Sequence, residues 1–173
     1  MDLTLSGEQK QLVESFAALY ARESPTERVR AAEPLGFDAK LWQALREIGV
    51  LEMAVSEEAG GWSSSVVELA LIAEQFGCAV GSAPVIEAQV AVRLLASIGA
   101  AAADLLDSAL NGQTLIVFAP RSYPGQRIEL APAGAVADVV VAMVEGNLLA
   151  VPVAAGAARR AVGIGAGFIG CEG

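Results

Sequence analysis

Between Ser6 and Leu110 the apolar residues recur at helical spacing, with polar residues filling the gaps. Ser6 with Gln9 reads as a capping box that opens a first helix. Leu12, Phe16, Leu19 and Tyr20 give that helix one apolar face, and Lys10, Glu14 and Arg22 lie off it. Ser24-Pro25 ends it, since proline cannot continue the ladder and restrains the residue before it. A short second helix over Thr26–Ala32 precedes Pro34 and Gly36. Asp38 caps a third, in which Leu41, Trp42, Leu45 and Ile48 share a face and Gly49 is the stop. Trp42 is read as core packing.

A second capping box, Ser65 with Glu68, opens a helix over residues 66–76. This helix is apolar nearly all round, which predicts burial in its own domain or at a subunit contact. Its two charges, Glu68 and Glu74, are separated by about 600° of helical rotation, so they do not form an acid–base pair. Pro84 opens a further apolar helix through Ile98, stopped by Gly99, and residues 102–110 make a last short one ended by Asn111-Gly112. From Thr114 the period changes. Residues 114–119, 127–130, 139–144 and 148–153 are β-rich, and Glu145-Gly146-Asn147 reads as a hairpin loop.

Helices followed by strands predict an α+β chain. Its expected parts are an all-α amino-terminal domain over residues 1–112, a short antiparallel β-domain over 113–153 and an Ala/Gly-rich tail over 154–173. The glycines at 163, 165 and 167 lack the strand-then-helix setting of a dinucleotide fingerprint.

Composition narrows the function. The net charge of −9 disfavours nucleic acid and anionic membrane surfaces as partners. The absence of histidine removes Ser-His triads and His-ligated metals. Two cysteines are too few for a disulfide framework, and Cys78, in an apolar context, is read as a buried small residue. Mean hydropathy is high at +0.52, yet it arrives in helix-length segments interrupted by charge, so no membrane-spanning helix is expected. The first residues lack the basic and apolar regions of a signal peptide, and a cytoplasmic location is the plain expectation.

The stretch VSEEAGGWSSS, Val55 to Ser65, joins two of the helices. Gly60-Gly61 permits positive φ and close backbone approach, so it marks a tight connection. Together with Gly49-Val50-Leu51-Glu52-Met53-Ala54 before it, this stretch resembles the G-h-h-G-h-h-h-P-E-E-Y-G-G-x-G run of acyl-CoA dehydrogenases. Ser56, Ala59 and Ser63 depart from the proline, tyrosine and last glycine of that run. Other segments are similar to the same family: Leu5-Ser6-Gly7-Glu8-Gln9, Phe37-Asp38 through Gly49, Glu68 through Gly77, and Ala137-Asp138-Val139-Val140-Val141.

The resemblance implies FAD as cofactor and α,β-desaturation of an acyl-CoA thioester, the chemistry of fatty-acid β-oxidation and lipid metabolism. Phe118, Ala119 and Ser122, at the end of the first strand, take the place of the family's flavin-contacting Thr-Glu-Pro, which is not present here. Ser82, Ala83, Ile86 and Gln89 fall where the family's acyl tunnel begins, and the small residues there leave room for a ligand. Simple helix packing explains such small residues equally well. Family members carry their catalytic glutamate in a carboxy-terminal helical bundle, so no residue here is assigned as catalytic. The chain is expected to be a short or truncated member, inactive alone, in a homo- or hetero-oligomer with acyl-CoA dehydrogenase subunits. The competing expectation is a non-catalytic interaction subunit of such an assembly.

Overall fold

The computed structural model describes residues 4–123, 131–153, 158–161 and 166–170. Six helices come first: α1 Gly7–Glu23, α2 Thr26–Ala32, α3 Ala39–Glu47, α4 Val66–Cys78, α5 Val85–Ile98 and α6 Ala103–Leu110. Strands follow: β1 Ile116–Tyr123, β2 Ala131–Pro132, β3 Val139–Val144, β4 Asn147–Pro152, β5 Ala158–Ala161 and β6 Ala166–Gly170. The chain is α+β, as its periodicity predicts. The expected strand over 127–130 lies outside the described residues.

Local chemistry sets the helix starts. Both capping boxes form: Ser6 with Gln9 at α1 and Ser65 with Glu68 at α4 satisfy two otherwise unpaired N–H groups each. At α3 the Asp38 carboxylate accepts from the Lys40 and Leu41 amides. The same carboxylate takes both arms of Arg28, at 2.8 Å each, which fastens α2 to the start of α3.

The glycine-rich connection folds back on the segment that precedes it. Gly61, Trp62, Ser63 and Ser64 donate their amides to Ser56, Glu52, Val55 and Met53. The two glycines do different work. Gly60 adopts φ 85° with open space around it, whereas a Cβ on Gly61 would meet the Val55 and Glu52 carbonyls. Ser63, in the position of the family's last glycine, also takes a positive φ, 55°.

The main core joins helices and sheet. Leu41, Leu45, Val50, Ile72, Val85, Val92 and Leu95 bury together with Ile116 and Val141, so one face of the sheet packs on α5. Tyr20 sits between Phe16 and Phe76, with ring centroids 6.0 and 5.7 Å away. Its hydroxyl is buried without a partner among the described residues, and burial pushes its pKa up. Trp42 packs, half-buried, against this core, as expected.

The first sheet has the order β1-β3-β4 and is mixed rather than wholly antiparallel. β3 and β4 form the expected hairpin, with Glu145 at φ 50° and Gly146 at φ 82° in its turn. β1 and β3 run parallel. The segment between Tyr123 and Val139 is long enough for the crossover that a parallel pair needs, and alternation along a strand carries no sign of direction. Asp138 pins the start of this sheet: its carboxylate accepts the Leu115 amide at 2.8 Å, and its own amide donates to the Leu115 carbonyl. β5 and β6, within the segment read as a tail, form a second antiparallel sheet with β2.

One further expectation is corrected: Cys78 is exposed, because it ends α4 on the outer side of the helix. Of the two settings expected for α4, its own domain does not bury it: only Ile72 is enclosed, while Val66 and Val67 are 65% and 54% exposed. A helix apolar on all sides exceeds what α1, its main neighbour, can cover. The run from α5 through α6 has the length and hydropathy of a membrane span, but Gly99, at φ 73°, breaks it. Within that run α5 also packs on the sheet, through Val85, Val92 and Leu95.

Candidate acyl site at the turn between α4 and α5

The turn from Ala79 to Pro84 separates two helices that are almost free of charge. Val80 adopts φ 49°, a strained conformation for a β-branched residue. Gly81 follows because the ring of Phe76 lies against it, where a Cβ would clash. The Ser82 carbonyl accepts the Asp38 amide at 2.7 Å, which ties the turn to the start of α3.

A cavity of about 230 Å³ opens beside this turn. Phe76, Ala83, Pro84 and Ile86 give it apolar walls, and Ala133 closes it from the strand side. Glu87, on the first turn of α5, also lines it. Burial pushes the Glu87 carboxyl above the usual carboxylate range, with its own backbone N–H acting the other way. The sequence offered one signal for Glu87 that was missed: it is the sole acidic residue between Glu74 and Asp104.

The four expected acyl-site residues therefore divide. Ala83 and Ile86 line the cavity. Ser82 is buried, with its backbone engaged at α3. Gln89 is buried too, and its Nε2 donates to the Val50 carbonyl at 2.9 Å. Gln89 also borders a second, shallower groove between α4 and α5, lined with Val66, Leu69, Ala73, Ile86 and Val90 and ending at Arg93. Ile86 forms the ridge between cavity and groove.

The expected cofactor positions lie on β1. Phe118 faces the helical core, half-buried, and Ala119 is fully buried in the smaller cluster with Ala131, Ala133 and Val140. Ser122 pairs with Met143 along the backbone; its side chain lies outside the described residues. The β1–β3 register shifts between Ala119 and Ser122, leaving Pro120 and Arg121 exposed at the irregularity. Phe118 and Ala119 thus both spend their side chains on apolar packing. Among the described residues no cluster of carboxylates and thiols is set to hold a metal ion.

Residues 6–104 match the family model described as the acyl-CoA dehydrogenase amino-terminal domain. The acyl-CoA dehydrogenase IpdE2 of Mycolicibacterium smegmatis is 31% identical over 143 residues, which cover 80% of this chain and 43% of that protein. The chain thus spans less than half the length of this curated relative. Among solved structures, the ChsE4-ChsE5 complex from Mycobacterium tuberculosis superposes with a TM-score of 0.76 at 22% identity, over 96% of this chain and 54% of that one. A variant of the Tcur3481-Tcur3483 steroid ACAD gives 0.73 at 21%, over 96% and 56%. These two likenesses establish the fold, and the match over the helical half establishes the descent: the chain belongs to the acyl-CoA dehydrogenase family.

Proposed function

We propose that this chain is a subunit of an FAD-dependent acyl-CoA dehydrogenase assembly that desaturates an acyl-CoA thioester between its α and β carbons. The observation that carries this reading is the cavity lined by Ala83 and Ile86 at the α4–α5 turn of a family-matched helical domain. Its apolar walls suit the hydrocarbon part of an acyl group. Bound FAD supplies the hydride acceptor in this chemistry. The chain's own contribution is to shape the space in which the acyl group lies: Phe76, Pro84 and Ile86 give it apolar walls. The α-proton goes to a carboxylate base, a role assigned to no residue of this chain.

The partner in this reading is another acyl-CoA dehydrogenase subunit. Solved structures with this fold include the ChsE4-ChsE5 complex and the Tcur3481-Tcur3483 steroid ACAD. The groove between α4 and α5 is the surface for such a subunit, since Val66, Ile86 and Val90 are exposed along it. A cytoplasmic location and a place in lipid breakdown go with the reading.

A second reading, a non-catalytic interaction subunit, draws on the burial of Phe118 and Ala119. Visible absorption of the purified chain, alone and co-expressed with a family partner, separates the two. Flavin absorbance with turnover of an acyl-CoA panel supports the catalytic reading. A colourless heteromer whose partner is equally active without this chain overturns it.

A further inference from the structure

The cavity at the α4–α5 turn contains one ionisable side chain, and nothing among the described residues neutralises it. Glu87 has no ion pair and no partner side chain there; beside its carboxyl is only its own backbone N–H, in the first turn of α5. The other charge on α5, Arg93, lies about 600° of rotation further along the helix and opens onto the groove instead. A half-buried carboxyl is costly to leave without a partner. The same charge could have sat at the exposed neighbouring positions of this helix. The walls around it are fixed: Gly81 is held against Phe76, and Ala133 takes φ 50° to close the far side. At about 230 Å³ the space admits the end of a ligand rather than the whole of one.

We propose that Glu87 determines specificity by hydrogen-bonding an oxygen function at the distal end of the acyl group. This rests on the acyl-CoA reading above and narrows it to acyl-CoA thioesters that carry a hydroxyl or carbonyl remote from the thioester. A carboxylate accepts from a hydroxyl, and a carboxylic acid donates to a carbonyl, so one side chain serves both. An alkyl terminus in the same place would leave the carboxyl desolvated and unpaired, which is how a polar site rejects a ligand lacking the matching group.

The test is calorimetric titration of the purified protein, with any subunit that co-purifies, against two acyl-CoA thioesters that differ only in a terminal hydroxyl. The hydroxylated thioester is expected to bind the wild type about tenfold more tightly. Glu87→Gln, which can still donate and accept, keeps most of that preference; Glu87→Leu reverses it. Equal affinity of the two thioesters for the wild type, or a preference unchanged in a folded Glu87→Leu, overturns the inference and leaves acyl-CoA binding standing. Binding of neither thioester overturns the acyl-CoA reading and this inference with it. The wild-type comparison needs no variant to fold.

Discussion

Gln89 reaches from the middle of α5 to the carbonyl of Val50, 39 residues earlier, and donates its Nε2 at 2.9 Å. Both residues are buried, so this bond ties α5, the second apolar helix after the glycine-rich connection, to the segment before that connection. Gln89→Leu removes the donor and leaves a buried carbonyl behind. A loss of about 1–3 kcal/mol is expected, read as a lower denaturant midpoint at unchanged slope. A normal midpoint together with weakened ligand binding would instead place Gln89 at the ligand.

The diglycine separates two kinds of glycine requirement. Gly60→Ala meets open space and bears only the left-handed backbone strain, about 1–2 kcal/mol. Gly61→Ala drives a methyl into the carbonyls of Val55 and Glu52 and should cost more, about 3 kcal/mol. Thermal melts of the two variants rank them, and the reverse order would show that the connection relaxes freely.

Asp38 links helix capping to an ion pair, and acid should expose it. Burial alone would raise its carboxyl, but the Arg28 guanidinium and the Leu41 and Lys40 amides more than offset this and hold it below the usual range. Its contribution is therefore complete above the unfolded Asp value of about 3.9 and is lost as pH falls through the depressed folded value. Asp38→Asn keeps an acceptor for the cap but loses the charge pair, so its stability should fall less steeply than that of the wild type below about pH 4. Asp38→Ala loses both and should cost about 2 kcal/mol at neutral pH. Denaturant midpoints across pH check both.

The groove between α4 and α5 predicts a separation of stability from association. Val66 and Val90 are 65% and 37% exposed, so Val66→Ser with Val90→Ser should alter the stability of the chain by no more than about 0.5 kcal/mol per site. If a family subunit covers this face, the same pair weakens the heteromer in sedimentation. Unchanged assembly would move the interface elsewhere.

Much of the helical half was legible because its signals are local. Ser6, Asp38 and Ser65 each satisfy amides within three residues, and Gly49, Gly60 and Gly99 stop or turn the chain by their own φ. Such chemistry needs no distant partner. The family motifs lie in the same segments, which is why residues 6–104 could be recognised from their own pattern.

The rest depended on long-range placement. The β-rich run of residues 139–144 announces a strand, yet only the crossover decides that β1 lies parallel to it. The hydrophobicity of α4 fixes how much surface wants cover, whereas the arrangement of α1 and α5 decides that most of it stays open. Gln89 and Glu87 stand two residues apart on one helix, both polar in an apolar run. Helical rotation turns one toward the Val50 carbonyl and the other to the cavity, and only the packed structure assigns an anchor to the first and a half-buried carboxyl to the second.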